Sequence, residues 1–213
     1  MIHRTLGALC LVGATSILAS TGCRLLPQRD EKPLPPIHLI AVLPLDRGER
    51  PHLAGADADR QPLPLDAEKV VTAQVYSVLA ETPRWRFVPD LTVEQALRSI
   101  AGSDSNEERA RALAAAVQAD GVLYGSVLRF REREGSEYGS RQPASVAFRL
   151  GVYSVAAGRT IWSNDFVQTQ EPLSSNLLNW WQFWKEGPRW FTAAELARLG
   201  VEQLLSDLDR RTH

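Results

Sequence analysis

The stretch 119–167 constrains the fold most, because it contains three consecutive segments with the pattern of antiparallel strands, at 122–130, 144–153 and 160–166. Eight residues of the middle segment alternate between two faces: Val146, Phe148, Leu150 and Val152 on one, and Ser145, Ala147, Arg149 and Gly151 on the other. A period of two with one apolar face predicts a half-buried antiparallel sheet. Gly158 lies in the short connection to the third segment, where a hairpin loop needs a positive φ.

The region before this meander alternates strand and helix patterns. The segment 37–44 is rich in branched residues and apolar on both sides, which predicts a central strand ending at Pro44. Asp66 is placed to cap a helix over 66–81. A short strand at 85–88 follows, then a helix opened by Thr92 and Gln95 at capping-box spacing, and an alanine-rich helix at 107–118.

Two more helices are expected after the meander. The first begins at Ser174 or Ser175 and ends near Glu186. The second is opened by a capping box of Thr192 and Glu195 and runs to about Arg210. Its inward positions are five leucines: Leu196, Leu199, Leu204, Leu205 and Leu208.

The resulting order, β-α-β-α-α-β-β-β-α-α, predicts an α+β fold. We expect a single domain with a mixed, mainly antiparallel sheet and helices packed mainly on one face. The expected boundaries are a signal peptide at 1–22, a proline-rich tether at 23–36 and the α+β domain at 37–211.

The N-terminus has the pattern of an export signal. Arg4 precedes a 14-residue apolar run, 6–19, which is too short to span a bilayer comfortably. The run ends in Ala19-Ser-Thr-Gly-Cys23, which resembles the lipobox of bacterial lipoproteins, although Ser20 stands where that pattern usually has Leu. The resemblance implies that Cys23 is acylated, for example with palmitate, and anchors the protein to a membrane. An ordinary secretory signal cleaved nearby, or an uncleaved anchor, is the alternative.

Charge argues against a nucleic-acid partner. Beyond residue 22 the chain carries 23 basic and 25 acidic residues, so no strong field attracts polyanions. The densest basic stretch is Arg129, Arg131 and Arg133, and Glu132 and Glu134 alternate with it.

The sequence contains no recognisable catalytic or metal-binding set, so we expect neither an enzyme nor a cofactor. Beyond the leader the histidines are His38, His52 and His213, and no nucleophile or zinc motif accompanies them. Gly121 and Gly125 are not followed by the Lys-Ser or Lys-Thr of a phosphate loop, and glycine within a strand indicates close packing or a bulge instead.

One stretch is unusually aromatic. Eight large apolar residues lie within 15 positions: Leu177, Leu178, Trp180, Trp181, Phe183, Trp184, Trp190 and Phe191. A stripe this wide is hard to bury wholly in a domain of this size. Two interpretations remain open: a lid helix packed on the sheet, or a dock for a partner protein or the membrane interface. The candidate partner-binding residues are Trp180, Trp181, Trp184 and Trp190.

Four stretches carry a family resemblance: IAVLPLD, RWRFVPDLTVEQAL, AVQADGVLYGSVLRF and AAGRTIWS. Together they are similar to a superfamily of bacterial envelope lipoproteins. It includes the curli secretion component, the outer-membrane activators of penicillin-binding proteins and the N-terminal domain of the Tol translocation protein. The likeness covers about 37–167 and does not include the aromatic stretch.

The resemblance implies a non-catalytic domain that binds an envelope protein or forms a homo-oligomer. It also implies a lipid-anchored location in the bacterial cell envelope, at the outer membrane facing the periplasm. A subunit of an envelope secretion or channel complex is the alternative.

Overall fold

A computed structural model describes residues 34–48, 62–100, 105–136, 139–170 and 190–212, all within the compact unit Lys32–His213. The strands are Leu39–Val42 (β1), Asp46–Arg47 (β2), Arg86–Phe87 (β3), Gly121–Arg131 (β4), Glu134–Ser136 (β5), Gly139–Gln142 (β6), Ser145–Ser154 (β7) and Arg159–Thr169 (β8). The helices are Ala67–Glu81 (α1), Asp90–Ser99 (α2), Asn106–Val117 (α3) and Ala193–Arg211 (α4).

The main sheet has the order β3-β1-β4-β7-β8. Strands β4, β7 and β8 form the antiparallel meander, while β1 pairs in parallel with both β3 and β4. Strand β2 pairs with β4 further along the same edge as β1. The predicted α+β class with a mixed, mainly antiparallel sheet is therefore confirmed.

Helices pack against both faces of this sheet, unequally. The longer helices, α1 and α4, share a core with Ile40, Val42 and Phe148. The shorter helices, α2 and α3, share a second core with Ala41 and Leu43 on the opposite face of β1. Strand β1 is therefore buried on both sides, as its apolar sequence predicts.

Strand β7 is more deeply buried than its alternating sequence suggests. Phe148 is fully buried on the face predicted to be apolar. On the other face Ser145 and Ala147 are also buried, and Arg149 is the one exposed residue of the strand. Because β7 lies between β4 and β8, small side chains on this face are covered by their neighbours.

Asp120 fixes the start of β1 against β4. Its Oδ2 atom accepts hydrogen bonds from the backbone N–H groups of His38 and Leu39, at 3.2 and 3.0 Å. Its own N–H donates to the carbonyl of Leu39. One side chain thus holds together two strands separated by about eighty residues.

Three glycines meet conformational or packing demands. A Cβ atom at Gly125 would lie 2.1 Å from the carbonyl oxygen of Arg149, so the predicted close packing is confirmed. A Cβ at Gly200 would lie 2.5 Å from the ring of Phe166, so α4 approaches β8 closely only because of this glycine. Gly158 has the predicted positive φ, +63°.

The predicted starts of α4 and α1 are confirmed in position, whereas the predicted start of α2 is wrong. Thr192 and Glu195 form the full capping box of α4. The predicted box of Thr92 is wrong, because α2 begins at Asp90 and the carbonyl of Pro89 accepts the first helical hydrogen bonds. Asp66 occupies the N-cap position of α1, but its side chain makes no capping hydrogen bond.

Three short strands, β2, β5 and β6, were not predicted from the sequence. They have two to four residues each, too few to show a period. The expected helix ending near Glu186 lies outside the described residues. Among the five leucines expected to face inward from α4, Leu199 is only half-buried and the rest are buried.

The described domain begins and ends at one place. The backbone N–H of Leu34 donates a 3.0 Å hydrogen bond to the carbonyl of Arg211, at the end of α4.

Candidate interaction surface

Trp190 is the one predicted partner-binding residue that the structure describes. It is half-buried just before α4, and its carbonyl accepts a 2.7 Å hydrogen bond from Nη1 of Arg133. Trp180, Trp181 and Trp184 lie outside the described residues, as does Cys23.

The residues on either side of positions 171–189 are joined to each other. Gln170 follows β8 directly, and its Oε1 atom accepts a 2.7 Å hydrogen bond from the backbone N–H of Phe191. Gln170 and Phe191 are therefore adjacent in the fold, although they are far apart in the sequence.

Glu132 stabilises the start of α4 from a neighbouring connection. Both of its carboxylate oxygens lie 3.1 Å from the backbone N–H of Ala193. The carboxylate of Glu195 accepts from the N–H of Thr192 at the same helix end. Negative charge near a helix N-terminus is stabilising, because the first N–H groups carry partial positive charge.

We call Glu132, Arg133 and Gln170 the α4 anchor. Each binds backbone atoms of 190–193 from a distant position in the sequence. Sequence reasoning noticed Glu132 and Arg133 only as alternating charges, because their partners are brought near by the fold and leave no local pattern.

The second surface is the outer edge of β8, the last strand of the sheet. The N–H of Gln170 donates to the carbonyl of Ala144 on the β7 side. Because the direction of the backbone N–H and C=O groups alternates along an antiparallel strand, the groups of the even-numbered residues after Ile161 point toward β7. The odd-numbered groups consequently point away from the sheet. We call these four residues the β8 edge: Ser163, Asp165, Val167 and Thr169.

The side chains of the β8 edge lie on the face of the sheet opposite α4. Asp165 forms a bidentate pair with Arg149 of β7, with an Nη2–Oδ2 distance of 2.7 Å. The hydrogen bond to Asp165, together with its charge, raises the pKa of the Arg149 guanidinium. Both side chains are well exposed, so the pair contributes little stability. Val167 is 50% exposed beside it.

The described residues hold no arrangement typical of catalysis. No group of three potential metal ligands occurs among them. His38 is exposed, and its backbone N–H donates to Asp120. Burial raises the pKa of Tyr76, whose hydroxyl group donates to the carbonyl of Val42, so this phenol stays protonated. Within the same residues, no helix is both long enough and apolar enough to cross a bilayer.

Comparison with known proteins returns structures only. No protein-family model matches the sequence, and no curated protein matches it. PelC from Paraburkholderia phytofirmans, solved as a dodecamer, is 16% identical, with a TM-score of 0.42 over 80% of this chain and 86% of that one.

Two further structures are similar at the same level. The C-terminal domain of LpoB from Escherichia coli is 18% identical, with a TM-score of 0.42 over 62% of this chain and 83% of its own. Lipoprotein GNA1162 from Neisseria meningitidis is 16% identical, with a TM-score of 0.44 over 68% of this chain and 89% of its own.

Proposed function

We propose that this chain is a lipid-anchored protein of the bacterial cell envelope whose domain binds protein partners without catalysing a reaction. The observation that carries the proposal is the hydrogen bond between Gln170 and Phe191, which lie on either side of the aromatic segment 171–189. Binding residues concentrate on segments that a rigid scaffold holds at their base. The α4 anchor and the meander provide such a base here.

The composition of the segment indicates what it binds. Trp180, Trp181 and Trp184 lie within five positions of each other. Tryptophan is enriched among the residues that dominate protein–protein binding energy, because it combines a large apolar surface with one hydrogen-bond donor. We therefore assign partner binding to these three residues together with Trp190.

Acylation of Cys23 would fix the protein to a membrane, and residues 24–33 would separate it from the domain, which Leu34 joins through its hydrogen bond to Arg211. Pro27 and Pro33 lie in this stretch, and proline favours an extended tether. At roughly 3 Å per residue such a tether would span tens of ångströms. We place the anchor in the outer membrane, with the domain in the periplasm.

The test replaces 171–189 by a short glycine–serine linker in the full chain. Because Gln170 and Phe191 are already joined, we expect the thermal melt of the domain to change little. Partner proteins recovered with the lipoprotein from native membranes should be lost. Leu91→Ala, a truncation of an exposed apolar residue on α2, is the control and should retain them.

Point variants resolve the same question by residue. Trp181→Ala and Trp184→Ala should weaken partner recovery while the melt is unchanged, and a central hot-spot residue typically costs 2 kcal/mol or more of binding free energy. A large fall in melting temperature that accounts for the lost recovery would instead make the segment a structural lid. Full recovery of partners without the segment would overturn its role in binding.

A further inference from the structure

We propose that the chain self-associates through the β8 edge, by pairing β8 antiparallel with β8 of a second copy about a two-fold axis at Val167. This inference rests on the proposed function, protein binding, and specifies the binding surface as the β8 edge and the partner as a second copy of the chain. It uses only residues 144–170 and is independent of the aromatic segment.

Among the residues that the structure describes, none pairs with the outer side of β8. Natural edge strands are usually guarded by lysine, proline, a bulge or a short length. Strand β8 has eleven residues with neither lysine nor proline, and its one irregular position lies near its start, opposite Val152 and Tyr153. One backbone donor of this edge is already occupied, because the side chain of Asn164 accepts a 2.9 Å hydrogen bond from the N–H of Asp165.

The hydrogen bond from Asp165 to Asn164 does not involve the backbone groups of Val167 and Thr169, so these can pair with a second copy. With the axis at Val167, the N–H of Val167 would donate to the carbonyl of Val167 in the second copy. The N–H of Thr169 would donate to the carbonyl of Asp165, which Asn164 does not occupy. The guarded N–H of Asp165 already has its partner, so no backbone donor is left buried without a hydrogen bond.

The side chains favour the same axis. Val167 is the single large hydrophobic residue exposed in any described strand, since the others, Leu65, Leu91 and Val155, lie in turns or on a helix. Pairing about Val167 covers it with its own copy. An axis at Asp165 would instead place two carboxylates directly opposite each other, which is destabilising.

The experiment is oxidative cross-linking of the full chain in native membranes. In a hydrogen-bonded antiparallel pair, opposite Cα atoms lie roughly 5.5 Å apart, which is within the range that a disulfide bridges, so Val167→Cys should form a covalent dimer on mild oxidation. Val155→Cys is the matched control, because it is also 50% exposed but lies in the turn between β7 and β8. It should form no covalent dimer, and neither should the unsubstituted chain.

A charge at the same position gives a second measurement. In detergent solution, Val167→Lys should lower the self-association constant at least tenfold by sedimentation, whereas Val155→Lys should not change it. A chain that stays monomeric at about 100 μM, or equal cross-linking at both positions, overturns the inference. A monomeric chain that still captures partners through 171–189 would leave the proposed function intact. A chain that dimerises through β8 but captures no partner through 171–189 would overturn only the proposed function.

Discussion

At the scale of single residues, Phe148 is the largest side chain that is fully buried in the described core. It is fully buried on β7, and its ring lies 5.3 Å from that of Phe166 on β8. Phe148→Ala should therefore lower the free energy of unfolding by about 3 to 5 kcal/mol, through lost transfer energy and the cavity left behind. Urea unfolding followed by circular dichroism measures it. A loss below about 1 kcal/mol would show that the site collapses around the smaller side chain.

Asp207 on α4 links stability to pH. Burial alone would raise its pKa, but the hydrogen bond from Nε1 of Trp162 and the charges of Arg210 and Arg211 outweigh this, so the pKa of Asp207 is held below its usual value. A carboxyl group with a lowered pKa stabilises the fold above its unfolded pKa, about 3.9, and loses this effect as pH falls through the folded value.

Asp207→Asn should accordingly be less stable than the unsubstituted chain between pH 5 and pH 8. The difference in unfolding free energy should shrink steadily below about pH 4, where the unsubstituted side chain also becomes neutral. Urea melts across this range test it. A difference that grows toward acid pH would contradict the assigned interactions.

At the scale of elements, α4 depends on its N-terminal cap. Thr192 accepts a hydrogen bond from the N–H of Glu195 at 3.2 Å, and removing this acceptor exposes a helix donor without a partner. Thr192→Ala should destabilise the domain by about 0.5 to 2 kcal/mol. Thr192→Ser keeps the hydroxyl group and should stay close to the original stability. Equal losses in both variants would attribute the effect to the methyl group and its packing.

The elements that could be predicted are those whose information is local. The period of two located β4, β7 and β8 to within a few residues, and the Thr192 capping box located the start of α4. The start of α2 was misplaced, because the carbonyl of Pro89 begins that helix and a carbonyl has no sequence signature.

What escaped prediction depends on approach between distant parts of the chain. The junction of Gln170 with Phe191 forms only because β8 ends beside α4. The position of β8 at the end of the described sheet follows from strand order, which periodicity does not specify. The sequence therefore indicated which residues are unusual, but the contacts between them could be identified only from the three-dimensional structure.

At the scale of the whole molecule, membrane attachment is the decisive prediction. Metabolic labelling with a fatty-acid probe should label the full chain through Cys23, and Cys23→Ala should abolish the label. Cys10→Ala is the matched control, because it removes the other cysteine of the sequence and should leave the label on Cys23. Undiminished labelling of the Cys23 variant would refute acylation at this residue.

The hydrogen bond between Leu34 and Arg211 has a topological consequence. Because Leu34, the first described residue, contacts Arg211 at the end of α4, a few residues could join the two and close the domain into a ring. New termini could then be opened in the turn at Ala156 and Ala157, which is exposed between β7 and β8. Such a circular permutant would keep every strand pairing of the sheet. Its membrane tether could then be attached at the turn between β7 and β8 instead of at Leu34.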